Sequence, residues 1–304
     1  MLDQSAPSQQ APSQQSVLNI ASWLVEAFTS HQAGRLADAE RLYKQILAAQ
    51  PDHSDSLYLL SAISYQRGDY AQALSQIDLA LTINSGNSLL WNQRGLALQR
   101  LQRFDDALAS YDRALAGWPD HAETLCNRGV ALYELKRFDE ALASYDRALA
   151  VRPHYAEALC YRGSALLALK RQEEALASYD GALAIQPAYA EALSYRGDVL
   201  VELKRPEEAL ASYDQALAIA PDNAERLCNR GVALYELKRT EEALASYDRG
   251  WRWAWILASC TTIGAMRCFC SSSTTRRWRA SSGRSSGGRT MPGRIATGVS
   301  CCMR

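Results

Sequence analysis

What the sequence lacks narrows its function first. No run of 18 apolar residues occurs, so no transmembrane helix is expected. Met1–Gln15 has neither a basic start nor an apolar core, which excludes a secretory signal there and makes a cytoplasmic location the default. Without an export signal, the eight cysteines read as reduced thiols, not a disulfide framework. Histidine is scarce: His31, His53, His121 and His154 stand far apart. There is no CxxC pair, no phosphate-binding glycine loop and no nucleophile elbow, so neither metal, cofactor nor active site is expected.

One further absence divides the chain. Residues 250–304 contain no lysine and no acid but nine arginines, a charge of +9. The remaining 249 residues carry 24 basic and 33 acidic groups, a charge of −9. The net zero for 304 residues is thus the cancellation of two unlike pieces.

The larger piece is periodic. Pro51, Pro119, Pro153, Pro187 and Pro221 lie on a 34-residue ladder whose one gap is filled by Ser85. Gly95, Gly129, Gly163, Gly197 and Gly231 keep the same step. Ala141-Leu-Ala-Ser-Tyr-Asp146 recurs at 107–112, 175–180, 209–214 and 243–248. Each period contains two amphipathic helices. In 122–136, Leu125, Val130, Leu132 and Leu135 recur at helical spacing. A basic turn follows, Lys136-Arg137, and the next helix opens with Asp139 and Glu140 at its positive end. Its Ala141, Leu142, Tyr145, Ala148 and Leu149 form one buried stripe, and Pro153 closes the period. The pattern predicts an all-α solenoid of stacked helical hairpins.

These residues resemble the tetratricopeptide repeat (TPR) family. Gly129, Ala141, Tyr145, Ala148 and Pro153 match its positions 8, 20, 24, 27 and 32. Units begin at residues 20, 54, 88, 122, 156, 190 and 224. The first has Ala27 at the glycine position, and the second keeps Ala73 and Ala80 but loses the glycine, aromatic and proline. The expected organisation is a disordered Gln/Ser/Pro-rich arm at 1–19, a TPR array at 20–249 and a disordered tail at 250–304. The last unit is expected to lose most of its second helix, with weak helix around Trp251–Ala258.

The resemblance implies a right-handed superhelical stack that binds an extended peptide or a partner helix in its concave groove. Groove positions 2, 5, 6, 9, 12 and 13 of the first helices point to Asn92, Gln93, Gln99, Asn127, Tyr133, Tyr161, Tyr195, Asn229 and Tyr235. Amides can donate to and accept from a backbone at once, and tyrosine offers a rigid amphipathic ring. The expected function is therefore a non-enzymatic protein–protein interaction scaffold. The alternative is the substrate-recognition region of a protein similar to the O-linked N-acetylglucosamine transferases, whose catalytic domain is missing. Asn127 and Asn229 match the asparagine ladder of those proteins, Gln93 substitutes, and Tyr161 and Tyr195 depart from it.

Two further modes are excluded. The carboxylate clamp of chaperone-binding TPRs is not supplied by any three consecutive units, and Glu123, Glu157, Glu191 and Glu225 would repel a carboxylate terminus. Arg94, Arg128, Arg162, Arg196 and Arg230 form a basic row, but the acidic body points to ion pairs between neighbouring helices, not to nucleic acid. Cys126, Cys160 and Cys228 fall in separate units, about 8–10 Å apart per stacked helix, too far to share a metal.

After Gly250 the period disappears. Joining each codon's last base to the next codon's first two permits Asn-Arg-Gly at 263–265 and Ala-Leu-Ala-Ser-Phe at 277–281, both in register with the repeat. The tail thus reads as the product of a shifted reading frame.

Overall fold

The computed structural model describes residues 14–260. Among them are fourteen α-helices and no strand. The chain divides into two compact units, one ending at Pro187 and the other beginning at Ala188. The first holds α1 (Gln14–Gln32), α2 (Leu36–Ala49), α3 (Ser54–Gln66), α4 (Tyr70–Ile83), α5 (Ser88–Arg100), α6 (Phe104–Gly117), α7 (Ala122–Glu134), α8 (Phe138–Val151), α9 (Ala156–Ala168) and α10 (Gln172–Ile185). The second holds α11 (Ala190–Glu202), α12 (Pro206–Ile219), α13 (Ala224–Glu236) and α14 (Thr240–Cys260).

The hairpin α7–α8 shows why the sequence folds this way. His121 caps α7, its Nδ1 accepting from the Thr124 amide at 3.3 Å. Leu125, Cys126, Gly129 and Leu132 recur at three- and four-residue steps and are all buried. The chain then reverses through Lys136, which takes a left-handed φ of 64°. That turn satisfies two otherwise orphaned carbonyls: Lys136 N donates to Tyr133 O and Arg137 N to Leu132 O, both at 2.9 Å. Asp139 and Glu140 sit in the first turn of α8, where the helix dipole favours them. Ala141, Leu142, Tyr145 and Ala148 make its buried face. Tyr145 is 1% exposed, and burying such a ring contributes roughly 2–3 kcal/mol before entropy is charged.

Arginines at the seventh position tie neighbouring hairpins. Arg128 Nε donates to Asp112 of the preceding hairpin at 2.7 Å, and its Nη1 donates to Ser144 Oγ of its own at 2.7 Å. Arg94 binds Asp78 and Ser110 in the same way, and Arg162 binds Asp146 and Ser178. In the second unit Arg230 binds Asp214 and Ser246. The basic row is therefore spent on its own hairpins.

Two boundaries differ from those expected from sequence. The backbone of α1 is helical from Gln14, inside the stretch read as an arm. The last hairpin does not lose its second helix: α14 runs to Cys260, seven residues longer than α12. Two features permit this. No proline or glycine interrupts Trp251–Cys260. Gly250 lies close to α13, where an added Cβ would stand 3.1 Å from Ala224 O and 3.2 Å from Cys228 Sγ, so the helix stays packed through that residue. The arm at residues 1–13, and the tail from residue 261 with its reading-frame argument, lie outside the described residues.

Candidate functional site

The first helices of the hairpins carry the positions read as a binding face. In the first unit these are α1, α3, α5, α7 and α9; in the second they are α11 and α13.

In the first unit three of the expected residues are committed to the protein itself. Asn92 is 6% exposed, and its Oδ1 accepts from Thr124 Oγ1 at 2.9 Å. It joins α5 to α7 and is not offered to a ligand, which corrects its assignment to the exposed groove. Gln93 hydrogen-bonds Tyr58, whose hydroxyl pKa is raised by burial. Gln99 Oε1 accepts from Tyr111 Oη at 2.9 Å. The others are more open. Asn127 is half-buried. Tyr133 is half-buried and packs edge-on against Phe138, with ring centroids 5.3 Å apart. Tyr161 is 40% exposed and stacks on the buried Tyr145 at 6.1 Å.

A cleft of about 470 Å³ opens at the amino-terminal end of the same unit. Leu24, Val25 and Phe28 of α1, Tyr58 and Leu59 of α3 and Leu89 of α5 line it, with Asp55 at its side. These occupy positions 2, 5, 6 and 9 of the first three repeats, so the signal was present in the spacing. Val25 and Phe28 remain 68% and 47% exposed, unusual for residues of this kind.

In the second unit Tyr195 and Tyr235 are exposed. Asn229 is committed: its Nδ2 donates to Asp198 Oδ1 at 2.9 Å. Tyr213 Oη donates to the same oxygen at 2.6 Å. Asp198 stands at position 9 of its repeat, a groove position, and its hydrogen-bond partners lie 15 and 31 residues away, out of reach of a local sequence reading. Burial, with Glu225 and Glu202 adding repulsion against the hydrogen bonds of Tyr213 and Asn229, pushes its pKa up to about 6.

The glutamate row is partly neutralised, Glu123 by Arg152 and Glu191 by Arg226, each at 3.3 Å. Cys126 and Cys160 are buried, and burial pushes the Cys126 thiol up to about 12, so little thiolate is present at neutral pH. Among the described residues no three His, Cys, Asp or Glu side chains converge to hold a metal ion.

Family models described as tetratricopeptide repeat match residues 87–154, 32–88 and 133–190, and a TPR repeat model matches 197–238. The chain belongs to the tetratricopeptide repeat family. A comparison with the curated proteins finds no match. Solved TPR structures are similar in fold. A tetratricopeptide repeat protein from Parabacteroides merdae is 18% identical with a TM-score of 0.64, the alignment covering 78% of this chain and 93% of that one. PilF of Pseudomonas aeruginosa is 21% identical with a TM-score of 0.60, over 75% and 97% of the two chains. YrrB, described as a TPR protein with an unusual peptide-binding site, is 20% identical with a TM-score of 0.50, over 61% and 95%. Membership of the TPR family makes this chain a protein–protein interaction scaffold in general character. No helix among the described residues is long and apolar enough to cross a membrane.

Proposed function

We propose that this TPR protein holds a peptide or a partner helix on the face carried by its first helices, and does no chemistry on it. The observation that supports this best is the apolar cleft of the first unit. Val25 and Phe28 lie open to solvent beside Leu24 and Leu59, at the register where the TPR resemblance implies ligand contact. Apolar side chains left this exposed gain about 25 cal/mol per Å² when a partner covers them. An amphipathic partner would place its apolar side chains there. Farther along, Asn127 and the ring of Tyr161 supply hydrogen bonds and a flat amphipathic wall. In the second unit, Tyr195 and Tyr235 offer the same kind of surface.

The experiment compares proteins captured by the wild-type chain with those captured by Val25→Glu/Phe28→Glu and by Tyr161→Ala. All the substituted side chains are at least 40% exposed, so the fold should be retained, as circular dichroism would check. The expected result is loss of captured partners with the double variant and weakening with Tyr161→Ala. Capture of the same proteins in the same amounts by all three chains would refute the assignment of this face.

A further inference from the structure

Position 9 of the repeat is charged in one unit. Phe28, Ala62, Leu96, Val130 and Val232 are apolar there, and Ser164 closes on Tyr179 Oη at 3.1 Å. Asp198 alone brings a charge to this register, within the second unit. We propose that Asp198 is the acceptor for one cationic side chain, lysine or arginine, of the segment that binds the second unit. The assignment rests on the first-helix face being the binding surface.

The geometry around the carboxylate carries the argument. Both of its hydrogen bonds fall on Oδ1, from Tyr213 on α12 and Asn229 on α13, and both donors are neutral. Oδ2 receives none from the described residues, and no described Lys, Arg or His lies within 4.0 Å of the group. This contrasts with Asp78, Asp112, Asp146 and Asp214, each of which binds a repeat arginine.

Three described cations of the second unit are directed elsewhere. Arg196, two residues before Asp198, donates through Nη1 to Ser212 Oγ at 2.7 Å. Arg226 on α13 is held by Ser194 Oγ at 2.7 Å and Glu191 at 3.3 Å. Lys204 meets Glu236 at 3.5 Å. The remaining charged groups that act on Asp198 are Glu202 on its own helix and Glu225 on α13, and both repel it.

A half-buried carboxylate without a counter-ion among the described residues is costly for a fold to keep. A bound ammonium or guanidinium would supply a charge that the described residues do not, through Oδ2, which accepts no hydrogen bond from them. Tyr195 lies one turn earlier on α11 and is 42% exposed, so its ring is placed to flank the aliphatic stem or the charge of such a side chain. The two neutral donors fix the carboxylate before anything binds, so little ordering is required on association.

The test uses the full chain and two labelled alanine-based peptides that differ only in a central lysine or glutamine. Dissociation constants are measured by fluorescence anisotropy at pH 7.5 and pH 5. The wild-type chain is expected to prefer the lysine peptide by about tenfold, the scale of one charge-assisted hydrogen bond. Asp198→Asn keeps the acceptor for Tyr213 and Asn229 and should reduce the preference to about one. Lowering the pH to 5 should shrink it in the wild-type chain. Glu225→Gln, which removes an exposed charge nearby, should leave most of it.

Equal affinity for the two peptides overturns the proposal while leaving the binding face standing. A preference lost equally in Glu225→Gln and Asp198→Asn also overturns it, because a diffuse acidic field would then be responsible. Binding of neither peptide overturns it too, and the fate of the binding face is then decided separately by the Val25 and Phe28 variants.

Discussion

A methyl group added at Gly129 would stand 2.5 Å from Cε1 of Tyr145. The glycine of the first helix and the tyrosine of the second therefore compete for one volume, and a methyl at the glycine requires the ring to shift. The same contact recurs between Gly95 and Tyr111, Gly163 and Tyr179, Gly197 and Tyr213, and Gly231 and Tyr247. Gly129→Ala is expected to lower stability by about 1–3 kcal/mol, the usual penalty for overpacking a filled core. A lower denaturant midpoint in urea would show it, and an unchanged midpoint would mean that α7 and α8 can part freely. The first repeat accommodates this methyl: Ala27 and Tyr43 are both fully buried. The Tyr43 hydroxyl makes no hydrogen bond there, and its pKa is pushed up to about 12.

The turns between paired helices offer a second test. Gly34 and Gly68 adopt φ of 74° and 82° in the first two repeats. Lys136, Lys170, Lys204 and Lys238 hold φ of 61–64° at the same register. A left-handed conformation crowds the Cβ of any residue but glycine. Lys136→Gly should therefore raise stability by about 0.5–1 kcal/mol, with the gain in the folded state partly offset by a more flexible unfolded chain. Gly68→Lys should have the opposite sign. Thermal melts of both variants beside the wild-type chain check the pair.

Asp198 makes stability depend on pH in an unusual direction. Its pKa is about 6 in the folded chain against 3.8 ordinarily, so the folded state binds the proton more tightly than the unfolded one. Ionisation therefore opposes folding. The contribution of this group improves as the pH falls through about 6 and is complete below 3.8. The carboxylates of Glu140, Glu174, Glu208 and Glu242, held low by hydrogen bonds from their arginine partners, act in the other sense in more acidic solution. Comparison with Asp198→Asn isolates the one group. At pH 8 the variant should be more stable than the wild-type chain by about 1–3 kcal/mol, and the gap should close toward pH 4. Urea titrations at several pH values measure it; a gap that stays constant would place the Asp198 pKa near its ordinary value.

The fold was legible because its determinants repeat. Gly129, Tyr145 and Pro153 each reappear every 34 residues, and the packing they specify is local to one hairpin and its neighbour. The binding face was less legible. Whether Asn92 faces outward depends on Thr124, 32 residues later, and whether Asn229 is free depends on Asp198, 31 residues earlier. Position within a repeat names the face but not the partner across it. Val25 and Phe28 are hard to recognise in the sequence because an apolar residue on a helix is ordinarily assigned to the core. The length of α14 followed from the absence of a helix breaker after Gly250, whereas the loss of the repeat pattern had suggested an earlier end.

Arg128 reaches back 16 residues to Asp112 and forward 16 to Ser144, and Arg162 repeats the move with Asp146 and Ser178. Excising residues 122–155 would consequently deliver Arg162 to Asp112 with its own serine still in hand, although Asn92 would meet Ala158 in place of Thr124. Such a chain can grow or shrink by whole modules through recombination in its gene, altering how much of a partner it spans while the arginine links re-form at the new seam.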